Sequence, residues 1–127
     1  MNVAMWLLII AWGVLAVTTS IPWFMTMGTQ VFGWLRHPGM QVIIGLHLAG
    51  AVLPLIGGVS QWWGKRLVAH LSMTMLASAW LFWHIFMFTG LAPVLRDAPR
   101  LLLCIITLLF SVVYGLHQAR AAAPDAA

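Results

Sequence analysis

Four histidines lie within strongly apolar stretches of this sequence, and they are the residues best able to do chemistry. They are His47, His70, His84 and His117. Histidine is costly to place in lipid, so an intramembrane histidine is by default a candidate functional residue. Neutral imidazole is also a common metal ligand, and it binds the iron of haem. The first question is therefore which elements carry these histidines, and whether those elements bring them together.

The composition indicates that those elements are transmembrane helices. The chain has 127 residues, of which 63% are hydrophobic and 6% charged, whereas soluble domains carry about 25% charged residues. The net charge of +4 comes from six Lys/Arg against two acids. Because the basic residues flank the apolar runs, we interpret them as helix anchors and lipid contacts rather than nucleic-acid ligands. The single cysteine, Cys104, excludes an internal disulfide and is expected to be a packed thiol.

Four apolar stretches are each long enough to cross a bilayer, which takes about 20 residues. They cover residues 3–25, 40–63, 67–91 and 100–120. Short links make successive helices antiparallel, so we expect an all-α integral membrane protein with an up-down four-helix transmembrane bundle. Residues 1–120 would form this domain, and residues 121–127 a disordered tail. Residues 21–35 are compatible with an extended first helix or with an interfacial helix.

Six basic residues define the two ends of the predicted bundle, three at each membrane face. We call side A the face that holds Arg36, Arg96 and Arg100, and side B the face that holds Lys65, Arg66 and Arg120. Equal numbers leave the positive-inside rule without a preference. The compact Lys65–Arg66 pair favours side B in the cytoplasm.

The antiparallel order sorts the histidines into two levels. His47 and His84 lie towards side A, and His70 and His117 lie towards side B. His70 and His84 are 14 residues apart on the third span, which is nearly four helical turns. They therefore share a helix face and lie about 21 Å apart along the axis. Ala77, midway between them on that face, is small enough to leave space beside the helix.

Two histidine levels on neighbouring helices resemble the arrangement of membrane b-type cytochromes. The spacing of His70 and His84 is similar to that of the two haem ligands on one helix of the cytochrome b of quinol-oxidising complexes. The resemblance covers residues 40–120 as an arrangement. It departs from that family, which places two histidines on each of two helices, whereas His47 and His117 here come from two different spans.

The resemblance implies two b haems with bis-histidine ligation, held by His47 with His84 and by His70 with His117. One haem on His47 and His84 is the alternative. Cations would pair with the haem propionates; those at the two surfaces are Arg36, Arg100, Arg66 and Arg120. The implied function is a small cytochrome b subunit of the bacterial plasma membrane, which transfers electrons between a partner subunit of a larger oxidoreductase complex and quinone.

Other functions are compatible with the same residues. Each histidine could form an interhelical hydrogen bond or reach the interface. The chain would then be a cofactor-free accessory or assembly subunit of a respiratory or photosynthetic complex. A third possibility is a pigment-binding subunit in which histidine ligates chlorophyll-type magnesium. The predicted spans hold no Asp or Glu for a proton relay. No Ser-His-Asp set, Gly-rich phosphate loop or metalloprotease helix motif is present. We therefore expect a non-catalytic chain.

Overall fold

The structure, a computed structural model, describes residues 2–34, 38–86 and 97–122, and these residues are almost entirely helical. The helices are α1 (Asn2–Leu15), a π-helical turn (Ala16–Ser20), α2 (Ile21–Trp34), α3 (Pro38–Trp62), α4 (Arg66–Phe86) and α5 (Ala98–Ala122). Within these ranges, four helical segments are long and apolar enough to cross a membrane: Val3–Met27, Pro38–Trp62, Arg66–Phe86 and Ala98–Ala121. The all-α, four-helix transmembrane fold is confirmed.

Several sequence predictions fall wholly or partly outside the described residues. Arg36, His37 and Arg96 lie there, as does the end of the third predicted span, residues 87–91. Of the predicted tail, residues 121 and 122 belong to α5, and residues 123–127 lie outside the description.

The first span continues through residues 21–34, because α2 follows α1 across the π-helical turn. The N–H of Ile21 donates to the carbonyl of Ala16, five residues back. Pro22 follows directly, and proline lacks an N–H and its ring clashes with the carbonyl four residues before it. Thr18 and Thr19 accommodate the wider turn by donating side-chain hydrogen bonds to backbone carbonyls of the preceding turn, those of Val14 and Leu15.

Side-chain hydrogen bonds join α5 to α1 and to α4. Near the middle of the bundle, Nε1 of Trp12 on α1 donates to Oγ1 of Thr107 on α5 over 3.0 Å. On the same level, Thr74 of α4 and Ser111 of α5 are joined through their hydroxyl groups. Such interhelical hydrogen bonds stabilise packing where lipid gives helices little hydrophobic reason to associate.

The core combines two tryptophans with small and flexible side chains, and the small ones let α3, α4 and α1 approach closely. Ala77, Leu76 and Cys104 are fully buried, so Cys104 is the packed thiol that the sequence predicts. A Cβ on Gly57 would lie 3.0 Å from Cε of Met73 and 3.7 Å from Cγ1 of Ile9. Glycine at this position therefore sets the distance at which α3 packs against its two neighbours.

Helix α5 is the least enclosed of the four spans. Only 11% of its apolar window is buried inside the bundle, against 33–39% for the other three. Large apolar side chains such as Leu109, Val112 and Leu116 face outwards. Exposure of this kind is normal for a chain whose outer surface is solvated by lipid tails. The bundle is therefore a multi-pass integral membrane protein associated with the bilayer.

Candidate functional site

His47 is buried among aromatic rings and one hydroxyl on the side A half of the bundle. Its side chain is 7% exposed, and its Nδ1 lies 3.0 Å from Oγ of Ser20, which belongs to the π-helical turn. The indole of Trp23 stacks on the imidazole, with ring centroids 4.4 Å apart and planes inclined by 16°. In the tautomer protonated at Nδ1, His47 donates to Ser20 and its Nε2 retains a lone pair for another partner.

Gly50 lies one turn from His47 on α3, and it makes the contact between Ser20 and His47 possible. A Cβ at Gly50 would stand 3.4 Å from Oγ of Ser20 and 3.6 Å from Nε1 of Trp80. The missing side chain thus leaves room for a hydroxyl from the first span and an indole from α4. By contrast, Gly45 has open space where a Cβ would be, so it makes no close approach.

His84 faces the residue that precedes α5. Its Nδ1 lies 3.8 Å from Oδ2 of Asp97, which is a distance for charge attraction rather than for a hydrogen bond. Its Nε2 is buried. Asp97 is one of the two acids in the chain, and its position beside His84 puts the negative charge at the side A end of the site.

Trp80 connects the two side A histidines. Its ring centroid lies 5.2 Å from that of His47, in an edge-to-face arrangement, and 5.9 Å from that of His84, with planes inclined by 30°. The guanidinium carbon of Arg100 lies 4.0 Å from the centroid of the indole. Arg100 also donates from a terminal nitrogen to Oγ1 of Thr19 over 2.8 Å.

We call this group the side A cluster; its members are Thr19, Ser20, His47, Trp80, His84, Asp97 and Arg100. The structure brings His47 and His84 into it from different helices, as their depths predict. Arg100 also belongs to it, and Arg36 lies outside the described residues.

The side A cluster has the donor groups that a bis-histidine haem requires, with one obstacle. Metal-ligating histidines commonly donate the N–H that does not face the metal to a carboxylate, a backbone carbonyl or water; a serine hydroxyl can accept the same hydrogen bond. Ser20 and Asp97 are placed to do this for His47 and His84. The obstacle is Trp80, whose indole contacts both imidazoles. A macrocycle between these rings requires the Trp80 side chain to rotate away.

On side B, His70 is enclosed by aromatic rings. Its side chain is 6% exposed, and its imidazole is parallel to the rings of Tyr114 and Phe110, with centroids 3.5 and 5.3 Å away. Nδ1 of His70 is buried and has no hydrogen-bond partner among the described residues.

A small cavity joins His70 to His117. Its volume is about 70 Å³, and it is lined by Met5, Gln61, Arg66, His70, Tyr114, His117 and Gln118. The predicted side B pair and one predicted cation, Arg66, therefore meet at one site. Arg66 and Arg120 are both exposed, but Arg120 is not among these lining residues. The cavity is much smaller than the roughly 300–1,000 Å³ of pockets for larger ligands. A haem fits here only if α5 separates from α4.

Sequence reasoning missed the residues that orient the histidines. Ser20 and Thr19 stand in a Thr-Thr-Ser run just before Ile-Pro, where a proline-disturbed helix leaves carbonyls for hydroxyl groups. This run of hydroxyl residues could have indicated that Thr19 and Ser20 form side-chain hydrogen bonds. Trp80 is four residues before His84, so it lies on the same helix face. This spacing could have indicated that an indole accompanies the histidine.

The described residues contain no group of three or more His, Cys, Asp and Glu side chains that could hold a metal ion. A cofactor bound by two histidines would have to supply the remaining ligands itself, as the haem macrocycle does. No family model matches this chain, and neither the curated proteins nor the solved structures contain a significant match.

Proposed function

We propose that this chain is a small membrane subunit that transfers electrons through b-type haem, between a partner subunit of a larger oxidoreductase complex and quinone in a bacterial plasma membrane. The observation that carries the proposal is the orientation of the two side A histidines. His47 and His84 come from different helices, and each has Nδ1 directed at an oxygen, of Ser20 and of Asp97 respectively. In a haem site of this kind, Nε2 of each ring would be the nitrogen that binds iron.

The surrounding residues suit this function in two ways. A haem with two imidazole ligands has no open coordination position, which favours electron transfer over oxygen binding. Arg100, in the same cluster, supplies a cation that can bind a carboxylate such as a haem propionate. Arg100 contacts Trp80 and Thr19. Rotation of Trp80 would release the guanidinium from the stacking contact and leave it near the propionate.

The second haem, predicted on His70 and His117, has less support than the first. The two histidines line one cavity with Arg66, which suits the donor set. However, Tyr114 covers one face of His70 at 3.5 Å, and the cavity volume is far below that of a macrocycle pocket. A second haem therefore remains a prediction, and the number of haems per polypeptide tests it.

The test is haem per polypeptide, measured as pyridine haemochrome in protein purified with its native partners. The variants are His84→Ala and His70→Ala. If only His47 and His84 bind haem, the wild type and His70→Ala each contain one haem and His84→Ala contains none. If both pairs bind, the wild type contains two haems and each variant one. Absence of haem from all three proteins overturns the proposal.

One observation favours a second candidate, a cofactor-free accessory subunit of a respiratory or photosynthetic complex. Arg100 stacks on Trp80 and donates to Thr19, so the side A cluster forms a connected set of contacts by itself. Such a cluster could simply fix α5 to the other helices. An absorption spectrum separates the candidates, because reduced b haem gives sharp visible bands, a chlorophyll-type pigment absorbs far to the red, and an accessory subunit has neither.

A further inference from the structure

The side B cavity is a second place where polar side chains from several helices converge. We propose that it binds a single phosphate group, such as the one in an anionic phospholipid headgroup or free inorganic phosphate. This inference is independent of haem at side A, because the cavity shares no residue with the side A cluster.

The lining of the cavity is rich in hydrogen-bond donors. Arg66 contributes a guanidinium, His117 an imidazole, Tyr114 a hydroxyl, and Gln61 and Gln118 their amides. No carboxylate is among the described lining residues. The two acids of the chain are Asp97, which lies at side A, and Asp125, which lies beyond the described residues. A site with a fixed cation and mostly donor groups favours an oxyanion, and phosphate offers several acceptor oxygens.

His70 adds a buried polar group to the lining of the cavity. The side chain is 6% exposed, yet its buried Nδ1 has no hydrogen-bond partner in the described part of the chain. A buried polar atom without a partner costs free energy, and such atoms are usually satisfied by water or a bound group. An acceptor oxygen in the cavity would satisfy the N–H of the Nδ1 tautomer.

The size and position of the cavity fit a compact headgroup. A volume of about 70 Å³ exceeds the roughly 10–15 Å³ needed for one water, and it is too small for a drug-sized ligand. The cavity lies at the first turn of α4, next to Lys65 and Arg66. Basic residues at this depth attract the phosphates of anionic lipids.

A metal cation is the main competing ligand, since Met5, His70 and His117 could offer soft donors. Arg66 argues against it, because a guanidinium in the same small cavity repels a cation. Met5 is also 1% exposed within the packed core, so its thioether already has apolar neighbours.

The experiment uses the full chain in nanodiscs, with histidine labelled by ¹⁵N. One arm replaces part of the phosphatidylcholine by phosphatidylglycerol, and the other adds inorganic phosphate to pure phosphatidylcholine discs. Imidazole ¹⁵N shifts report on His70, and native mass spectrometry counts retained phosphatidylglycerol. Arg66→Gln removes the cation of the cavity. Arg120→Gln is the matched control, because it removes an exposed cation from the same end of the bundle.

We expect a shift of the His70 signal and one retained phosphatidylglycerol per wild-type polypeptide. Arg66→Gln should weaken binding about tenfold or more through loss of a charge-assisted hydrogen bond, and Arg120→Gln should bind like the wild type. Gln118→Leu, at an exposed position on α5, is a second variant that leaves the core intact and should also weaken binding. A response to phosphatidylglycerol alone identifies a lipid headgroup, and a response to inorganic phosphate identifies the free ion.

Three results would overturn the proposal. The first is an equal loss of binding in Arg66→Gln and Arg120→Gln, which indicates general surface attraction. The second is a His70 response to Zn²⁺ or Cu⁺ together with none to either phosphate source. The third is a haem bound by His70 and His117, which the haem count detects independently of the side A result.

Discussion

Oγ of Ser20 lies 3.0 Å from Nδ1 of His47, so a hydroxyl from the first span fixes the orientation of an imidazole on α3. The contact depends on Gly50, where a Cβ would approach both Ser20 and Trp80. It also depends on the π-helical turn that contains Ser20. A local irregularity of one helix thus determines which nitrogen of His47 is available for a ligand.

Removal of this hydroxyl tests its role in haem binding. Ser20→Ala leaves Nδ1 of His47 without its partner, so we expect haem affinity to fall about 10–100-fold, as is typical when a group that orients a metal ligand is lost. Titration of haem into the apo-protein measures the affinity. The matched control is Thr26→Ala, because the Thr26 hydroxyl is exposed and bonds within its own helix, to the Pro22 carbonyl. Equal affinities in the two variants would exclude the orienting role.

Trp80 is the residue whose replacement most directly separates a haem site from a structural cluster. Trp80→Phe keeps an aromatic ring between α3 and α4 but shortens it, which gives space between His47 and His84. If the site binds haem, we expect haem content at least equal to that of the wild type. If the indole itself holds the cluster together, haem content and thermal stability should fall in parallel. Pyridine haemochrome measures the haem content, and thermal unfolding in detergent measures the stability.

The hydrogen bond between Trp12 and Thr107 should stabilise the attachment of α5. Thr107→Val removes the acceptor with little change of shape, and the interhelical bond is worth about 0.6 kcal/mol on average and up to about 1.7 kcal/mol. A double-mutant cycle with Trp12→Phe measures the coupling free energy from unfolding in detergent. Thr26→Val is the control, because that exposed hydroxyl bonds only within its own helix, to the Pro22 carbonyl. A coupling energy of zero would contradict the contact.

Close packing at Gly57 predicts a position-specific effect of side-chain size. Gly57→Leu places a bulky group against Met73 and Ile9, and overpacking of this kind costs about 1–3 kcal/mol. Gly45→Leu is the matched control, since a Cβ there meets open space. We expect a lower unfolding temperature for the Gly57 variant only. Similar losses in both would mean that helix flexibility, rather than packing, explains the glycines.

Helix existence and depth were predictable from the sequence because a bilayer constrains both strongly. Apolar length determines the spans, and short links determine their alternation. The pairing of His70 with His117 at one level follows from these two facts. The side-chain contacts do not, because they depend on how each helix is rotated. Trp80 between His47 and His84, and Tyr114 over His70, are consequences of that rotation.

The path of residues 21–34 was harder to predict for a different reason. Pro22 is compatible with a break, a kink or a continued helix, and single-sequence patterns do not distinguish these. Thr18 and Thr19 donate their hydroxyls to the carbonyls of Val14 and Leu15, in the turn before the irregular segment. The sequence contains both threonines, but only the folded chain shows which carbonyls their hydroxyls bond.

The π-helical turn divides the first span into two segments whose angular positions are set by different contacts. Before the turn, Trp12 bonds to Thr107 of α5. At the last residue of the turn and after it, Ser20 and Trp23 contact His47 of α3. Deleting one residue from Ala16–Ser20 would rotate one segment against the other by about 100°. The span would then satisfy one set of contacts and lose the other, although its hydrophobic length would still suffice to cross the membrane.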